Sequence, residues 1–255
     1  MKGKIASSLS LALALTLGGP AALAQSTAQI QAEVLKALSN PKYEAVHGRV
    51  QDNGLVVLNG SVDVFDLKEK IAHKVHRIKG VKAVENEIQV AGAPVPDQEL
   101  SAQLVKAIQY DRVGYGTTPF NAISVTVRDG IVTLAGHAYG PVDASSAAAV
   151  AANTKGVKDV VNDIQVDPVS PMDDSIRIRT FRTVYGFPSL NKYAMDPGKT
   201  IRISVQNGKV TLFGVVDSQV DKDTAGIRAN TVPGVFRVDN QLQVVNDENE
   251  ERASR

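Results

Sequence analysis

The sequence contains no cysteine and no tryptophan, and its aromatic residues are six phenylalanines and six tyrosines among 255 residues. Without cysteine there is no disulfide framework, no thiolate ligand, no cysteine nucleophile and no lipid-modified cysteine. Charges are nearly balanced, with 28 Lys and Arg against 27 Asp and Glu. A dedicated nucleic-acid-binding protein typically carries an excess of positive charge, so we expect no nucleic-acid partner.

Catalytic motifs are also lacking. The chain has no Gly-x-Ser-x-Gly elbow and no His-Glu-x-x-His helix. Its four histidines are His47, His73, His76 and His137. His73 and His76 are one helical turn apart and could share a metal, but no third ligand has an obvious reason to join them. We interpret them as solvated helix residues and predict a non-enzymatic protein with no metal and no cofactor.

The one long apolar run lies near the N-terminus. Lys2 and Lys4 precede the apolar residues 9–17, and Ala22-Leu23-Ala24 places small residues at cleavage-determining positions. The run is far shorter than the roughly 20 residues that a membrane-spanning helix needs. We predict a cleaved signal peptide over residues 1–24, and therefore a periplasmic protein that is not a lipoprotein and associates with membranes only peripherally.

The sequence does contain an internal repeat. Three glycines and one asparagine recur 76 residues later and again 78 residues beyond that. They are Gly54, Gly60, Gly80 and Asn86, then Gly130, Gly136, Gly156 and Asn162, then Gly208, Gly214, Gly234 and Asn240. This spacing suits small domains rather than solenoid units. We expect domains at residues 28–92, 97–168 and 173–246, separated by proline-bearing joints and followed by a flexible acidic tail at 247–255.

Each copy follows the pattern α-β-β-α-β. Apolar residues at helical spacing, such as Leu100, Leu104 and Ile108, predict the first helix. Asp129-Gly130 supplies the two residues of positive φ that a type I′ turn needs, so two antiparallel strands should follow that helix. The third strand, reached through a second helix, should lie parallel to the second strand. The predicted fold class is α+β, with three tandem domains that each place two helices on one face of a three-stranded mixed sheet.

The third strand places Asn86, Asn162 or Asn240 in an otherwise apolar row. We interpret the three amides as latches that satisfy backbone groups left open beside the preceding glycine turn. A ligand-binding amide is the alternative. If Asn162 is a latch, its replacement by alanine should cost about 1 to 3 kcal/mol.

A basic helix is the first candidate binding feature. Lys70, Lys74 and Arg77 flank the apolar stripe of the second helix in copy one, with Lys79 and Lys82 just beyond. Such a basic-edged amphipathic helix can meet anionic lipid headgroups. The alternative is an ordinary solvated face that is partly neutralised by acidic residues of the same helix.

Aromatic residues are the second candidate feature. Copies two and three carry insertions before the hairpin, at residues 110–122 and 184–199. The rings in or beside them are Tyr110, Tyr115, Phe120, Phe181, Tyr185, Phe187 and Tyr193. Either these rings close the open end of each small core, or Tyr110, Tyr115, Phe120, Tyr185, Phe187 and Tyr193 form a surface for a partner chain or lipid.

The closing pattern Gly-Val-x-x-Val-x-Asn-x-hydrophobic-x-Val, repeated in register at residues 80–90, 156–166 and 234–244, resembles the BON domain. The resemblance covers nearly all of residues 28–246. It implies non-catalytic modules of the bacterial envelope, linked with phospholipid attachment, osmotic shock and protein contacts. The partner it implies is anionic phospholipid or an envelope protein. A chaperone-like or scaffold role through the aromatic insertions is an alternative, as is an ion sensor, although the peptidoglycan-type module of such sensors is absent. Oligomeric state stays open.

Overall fold

The computed structural model describes residues 26–168 and 170–245. The predicted signal peptide (1–24) and acidic tail (247–255) lie outside those residues. The described chain contains three successive α-β-β-α-β units, each with its own mixed sheet, so the predicted fold class is confirmed. Its longest helices have 15 residues, and within the described ranges none is long and apolar enough to cross a membrane.

Copy one begins with a helix that has a reciprocal cap. The Ser26 side chain accepts from the Gln29 N–H, and the Gln29 side chain accepts from the Ser26 N–H. The elements are α1 (Thr27–Leu38), β1 (Val46–Val50), β2 (Leu55–Val62), α2 (Phe65–His76), β3 (Ala83–Asn86) and β4 (Gln89–Val90). Its third strand is interrupted at residues 87–88, and both parts, β3 and β4, pair in parallel with β2.

Copy two contains the uninterrupted form of the unit. Its elements are α3 (Asp97–Asp111), β5 (Ala122–Arg128), β6 (Ile131–Ala138), α4 (Pro141–Ala152) and β7 (Asp159–Val166). Asp129 and Gly130 have φ of 54° and 79°, and Val127 pairs with Val132. The predicted type I′ hairpin is therefore confirmed.

Copy three has the same order of elements. They are α5 (Pro171–Tyr185), β8 (Arg202–Gln206), β9 (Lys209–Val216), α6 (Gln219–Asn230) and β10 (Arg237–Val244). Asn207 and Gly208 have φ of 52° and 77°, again a type I′ pair. In each copy the second strand is antiparallel to the first and parallel to the third, as predicted, and it is the central strand of the sheet. The two helices of a copy contact each other and the sheet, so they cover one face.

Each copy has its own apolar core. Copy one buries residues such as Val34, Leu58 and Ile71, whereas the core of copy two is smaller and rich in alanine. Two phenylalanine rings pack against the core of a neighbouring copy. Phe65 of copy one packs against the core of copy two, and Phe120 of copy two packs against the core of copy three. The copies are therefore distinct modules in lateral contact.

The glycine before each second helix is required by a close backbone approach. At Gly136, with φ of 100°, a Cβ would lie 2.2 Å from the carbonyl oxygen of Ala122. At Gly60 it would lie 1.9 Å from the carbonyl oxygen of Ala45. The beginning of the first strand thus occupies the space of a side chain, which explains why glycine recurs at this position.

Candidate functional site

Two of the predicted lipid-binding cations are engaged within copy one. Lys70 forms an ion pair with Asp66 on the preceding turn of α2, at 2.6 Å. The ammonium of Lys74 donates to the carbonyl oxygen of Ala37 at the end of α1, at 2.8 Å. Lys70 thus carries its own counter-ion, and Lys74 links the two helices.

The remaining three cations form an exposed group that we call the basic tip: Arg77, Lys79 and Lys82. All three are exposed and lie in and after the last turn of α2. Within residues 26–168 and 170–245, no carboxylate lies within 4.0 Å of their charged groups. Their charge is therefore open to an external anion.

The aromatic rings fall into two groups. Tyr110 is 48% exposed and Tyr115 is 70% exposed. The guanidinium of Arg112 lies over the Tyr115 ring, 4.0 Å from its centroid, and the Tyr110 hydroxyl donates to Asp196 at 3.2 Å. The hydrogen bond to this carboxylate raises the pKa of Tyr110. These two rings stay accessible to a partner.

Tyr185 and Tyr193 are buried in the core of copy three, which corrects their selection as contact residues. The Tyr185 hydroxyl donates to the carbonyl oxygen of Ile201 at 2.6 Å, and the Tyr193 hydroxyl donates to Asp221 at 2.8 Å. Burial raises the pKa of both phenols. Both hydroxyls donate to groups within copy three. These two rings therefore close the open end of its core, as the first of the two interpretations predicted.

Phe120, Phe181 and Phe187 have an intermediate position. All three are partly buried against the core of copy three. Phe120 stacks edge-on against Phe181 with 5.9 Å between ring centroids. Phe120, like Phe187, is therefore mainly a packing residue, and for Phe120 the packing joins copy two to copy three.

The asparagines form latches in two of the three copies. Asn240 donates to the carbonyl oxygen of Lys222 in α6 at 2.8 Å and accepts from the Leu242 N–H at 3.3 Å. Asn86 makes the corresponding pair of bonds in copy one, with α2. The bond joins the third strand to the second helix rather than to the glycine turn that we expected. Asn162 is exposed and makes only the local bond to the Ile164 N–H.

The histidines show no metal-binding arrangement. His47, His73 and His76 are exposed. Among the residues that the structure describes, no group of three or more His, Asp or Glu side chains could hold a metal ion. His137 is partly buried and lies between Asp167, at 3.3 Å, and the side-chain nitrogen of Gln206, at 2.9 Å.

A buried carboxylate holds the joint between copies two and three. Asp167 is 1% exposed. It accepts hydrogen bonds from the Ser204 hydroxyl at 3.0 Å and the Val205 N–H at 3.2 Å. Arg177, which is also 1% exposed, lies 3.5 Å from the same carboxylate. Its guanidinium also lies over the ring of Tyr139 from copy two, 5.0 Å from the centroid.

A cleft of about 240 Å³ lies between copies two and three. Arg202 lines it, is 9% exposed, and donates to the carbonyl oxygens of Thr118 and Pro197. Burial lowers the pKa of Arg202, although Tyr185 opposes this shift. From copy two, Arg112 pairs with buried Asp143 at 3.0 Å in the same cleft.

Sequence reasoning missed Asp167, Arg177 and Arg202. Asp167 stands in a proline-bearing joint, where an isolated acid looks like a solvated linker residue. Arg177 occupies the first helix of copy three between apolar positions, and that weakened apolar stripe was the available signal. No sequence signal marks Arg202, because its partners are backbone carbonyl groups, one of them in copy two.

Three segments of the chain match one family model. The model, described as the BON domain, matches residues 23–92, 96–168 and 189–246. The third match begins after α5, within the long insertion of copy three. A curated relative is osmotically-inducible protein Y of Escherichia coli strain K12, which is 28% identical over 163 residues. That alignment covers 63% of this chain and 78% of the relative.

Solved structures show a weaker likeness. Two structures of CdsD, a structural protein of the type III secretion system of Chlamydia trachomatis, align with this chain at 15% and 17% identity. They cover 85% and 89% of this chain and 95% and 96% of their own, with TM-scores of 0.24 and 0.23. A likeness at these TM-scores supports no conclusion about the arrangement of the copies.

Proposed function

Because the chain belongs to the BON domain family, we propose that it is a non-catalytic, exported envelope protein that attaches peripherally to anionic phospholipid through the basic tip of copy one. Periplasmic location follows from the predicted signal peptide. The name of the similar osmotically-inducible protein Y favours a role in osmotic stress. The observation that carries the lipid proposal is the basic tip itself, three exposed cations with no carboxylate of the described residues within 4.0 Å of their charged groups.

The equivalent positions of copies two and three also carry residues that suit contact with a membrane. Lys82 lies beside the hairpin glycine Gly54, as Lys158 lies beside Gly130 in copy two. The equivalent residue of copy three is Phe236, which is 86% exposed. Cations and an exposed phenylalanine are the residue types with which peripheral proteins contact headgroups and the acyl boundary. Several weak tips in series gain affinity through the effective concentration of tethered modules.

Vesicle co-sedimentation tests the proposal. The mature chain should bind vesicles of phosphatidylglycerol and phosphatidylcholine but not vesicles of phosphatidylcholine alone, and binding should weaken as salt is raised from about 0.1 M, because exposed charges are screened. Each cation near an anionic surface contributes about 1 kcal/mol, so the triple variant Arg77→Gln, Lys79→Gln, Lys82→Gln should bind about 100-fold more weakly.

The matched control removes three cations from elsewhere. Lys36, Lys106 and Arg182 are exposed on the first helices of the three copies. Their triple replacement by glutamine changes the net charge equally but leaves the basic tip intact. Equal losses in both triple variants, or binding that is indifferent to salt and to lipid charge, would refute attachment through this tip.

A chaperone-like or scaffold role is the second candidate, and the exposure of Tyr110 and Tyr115 favours it. Under this proposal, the double variant Tyr110→Ser, Tyr115→Ser should fail to suppress aggregation of an unfolded client protein, while its vesicle binding stays unchanged. A Tyr185→Phe variant would not test this role, because Tyr185 is buried in the core and cannot contact a client protein.

A further inference from the structure

The cleft between copies two and three is lined by two charged groups of opposite sign, Arg202 and Asp111, that form no ion pair with any described residue. Arg202 hydrogen-bonds only to backbone carbonyl groups, and Asp111 accepts from the Ser146 hydroxyl at 2.6 Å. In the part of the chain that the structure describes, neither has an oppositely charged group within 4.0 Å. A buried guanidinium is normally paired with an acid, so an unpaired one lining a cleft points to an absent anion.

A second, independent observation concerns Thr118. This residue lines the same cleft and is 8% exposed. Its hydroxyl is buried and has no hydrogen-bond partner among the described residues. A buried hydroxyl without a partner is costly, so the site is incomplete as it stands. A rotation of the Thr118 side chain that turns this hydroxyl toward the cleft would let it donate to an acceptor oxygen held near Arg202.

The remaining charges of the cleft restrict the ligand. Arg112 and Asp143 pair with each other, which leaves one cation and one anion available. We propose that this cleft binds a small zwitterion, whose carboxylate is held by Arg202 and Thr118 and whose cationic group is held by Asp111. A ligand with only a negative charge would leave Asp111 without a counter-ion. A dianion such as phosphate would also be repelled by the two carboxylates.

The size of the cleft fits this class of ligand. A volume of about 240 Å³ lies below the roughly 300 to 1,000 Å³ of clefts that bind drug-sized ligands. It therefore admits a molecule with few heavy atoms, such as a small amino acid or a betaine, rather than a nucleotide or a lipid. The site combines residues of two copies, so binding should also hold copies two and three together.

An NMR titration of the full mature chain is the test, because it detects weak binding and locates it. Glycine is the probe, with acetate and methylammonium as the two half-ligands. Glycine should shift the amide signals of Thr118, Thr200 and Arg202. It should bind at least about ten-fold more tightly than either half-ligand, since each half-ligand forgoes one charge-assisted interaction.

Two variants test the assignment of residues. Arg202→Gln should lose glycine binding, whereas Arg182→Gln on the exposed surface of α5 should retain it. Thr118→Val keeps the shape of the side chain and removes the hydroxyl that has no partner, so its melting temperature should not fall. It should nevertheless weaken glycine binding by about ten-fold, because the bond to the carboxylate is lost. Thr118→Val thus keeps the experiment decisive if Arg202→Gln fails to fold.

The outcomes separate cleanly. Absence of glycine shifts at the cleft, acetate or methylammonium binding as tightly as glycine, or unchanged binding by Thr118→Val would each overturn the proposal. The result is independent of vesicle attachment, which uses the basic tip of copy one.

Discussion

The carboxylate of Asp173 accepts a hydrogen bond from the backbone N–H of Gly208 at 2.9 Å, and its second oxygen accepts from the Asn207 N–H at 3.0 Å. The first turn of α5 is thereby tied to the hairpin turn between β8 and β9. Asp97 forms the same pair of bonds to the turn of copy two, at 2.6 and 2.9 Å. One acid thus caps two outward-facing amides of a type I′ turn and fixes the first helix against the sheet.

Replacing Asp173 should destabilise copy three. Asp173 is 2% exposed, and the Gly208 amide that it serves is buried. Asp173→Ala leaves this amide without a partner, so we expect a loss of about 1 to 3 kcal/mol in the free energy of unfolding. Urea denaturation measures it.

The corresponding change in copy two is the control. Asp97 is only partly buried, and its bond to the Asp129 amide is exposed to solvent. Water can replace that acceptor, so Asp97→Ala should cost less than Asp173→Ala. Equal costs for the two variants would mean that burial of the turn does not set the energy.

The local elements could be predicted from sequence because their signals are local. Asp129-Gly130 specifies a type I′ turn by its own backbone preferences, and the pairing of Val127 with Val132 follows. The parallel third strand follows from the handedness and length of a helical crossover. The parallel third strand is confirmed in all three copies and the type I′ turn in copies two and three, because the local sequence that specifies each feature is repeated there.

The contacts between copies could not be predicted in this way. Arg202 donates to the carbonyl oxygen of Thr118, 84 residues earlier. Asp167 accepts hydrogen bonds from Ser204 and Val205, 37 and 38 residues later. Such bonds depend on how two modules meet, which no periodic pattern encodes. The motif also failed to predict the exposure of Asn162, which stands in the same pattern as Asn86 and Asn240 but makes no bond to α4.

The three asparagines should therefore differ in energy. Asn240→Ala removes a bond to the Lys222 carbonyl oxygen and a bond to the Leu242 N–H, so we expect a loss of about 1 to 3 kcal/mol. Asn162→Ala removes one solvent-exposed bond and should cost at most about 0.5 kcal/mol, as surface changes usually do. Urea denaturation of both variants decides the matter. A larger loss for Asn162 would restore the view that its amide is a latch.

Removing Asp167 should be more damaging than either change. Its carboxylate faces buried Arg177, whose Nε also lacks a hydrogen-bond partner among the described residues. Breaking a buried pair by removing one member typically costs about 3 to 5 kcal/mol, because the other charge stays buried. Arg177 keeps its ion pair with Asp174, which places the expected cost near the lower end of that range. We expect such a loss in the unfolding free energy of Asp167→Ala. Asp167→Asn keeps the acceptor oxygen for Ser204 and should cost less. Equal losses for the two variants would show that the charge of Asp167, rather than its hydrogen bonds, sets the cost.

Acid stability should depend on the cluster around Lys192. Its ammonium lies 2.8 Å from Asp217 and 2.9 Å from Asp221. The hydrogen bond from Lys192 lowers the pKa of Asp217. For Asp221, burial alone would raise the pKa, but the bonds from Lys192 and Tyr193 outweigh burial and lower it. Both carboxyl groups therefore release their protons more readily in the folded chain than in the unfolded chain.

The sign of the pH dependence follows from these directions. A carboxyl group whose pKa is lower in the folded state stabilises the fold above its unfolded pKa of about 3.9, and this stabilisation is lost as pH falls through the folded pKa. Lys192→Met should thus lower the urea midpoint at about pH 7, and the difference from the unaltered chain should shrink as pH falls below about 3.9 and through the lowered folded pKa values. Lys106→Met removes an exposed charge far from these acids in sequence. Its urea midpoint should differ from that of the unaltered chain by the same amount at every pH. A gap between Lys192→Met and the unaltered chain that persists unchanged in acid would show that Lys192 stabilises copy three by packing rather than by its charge.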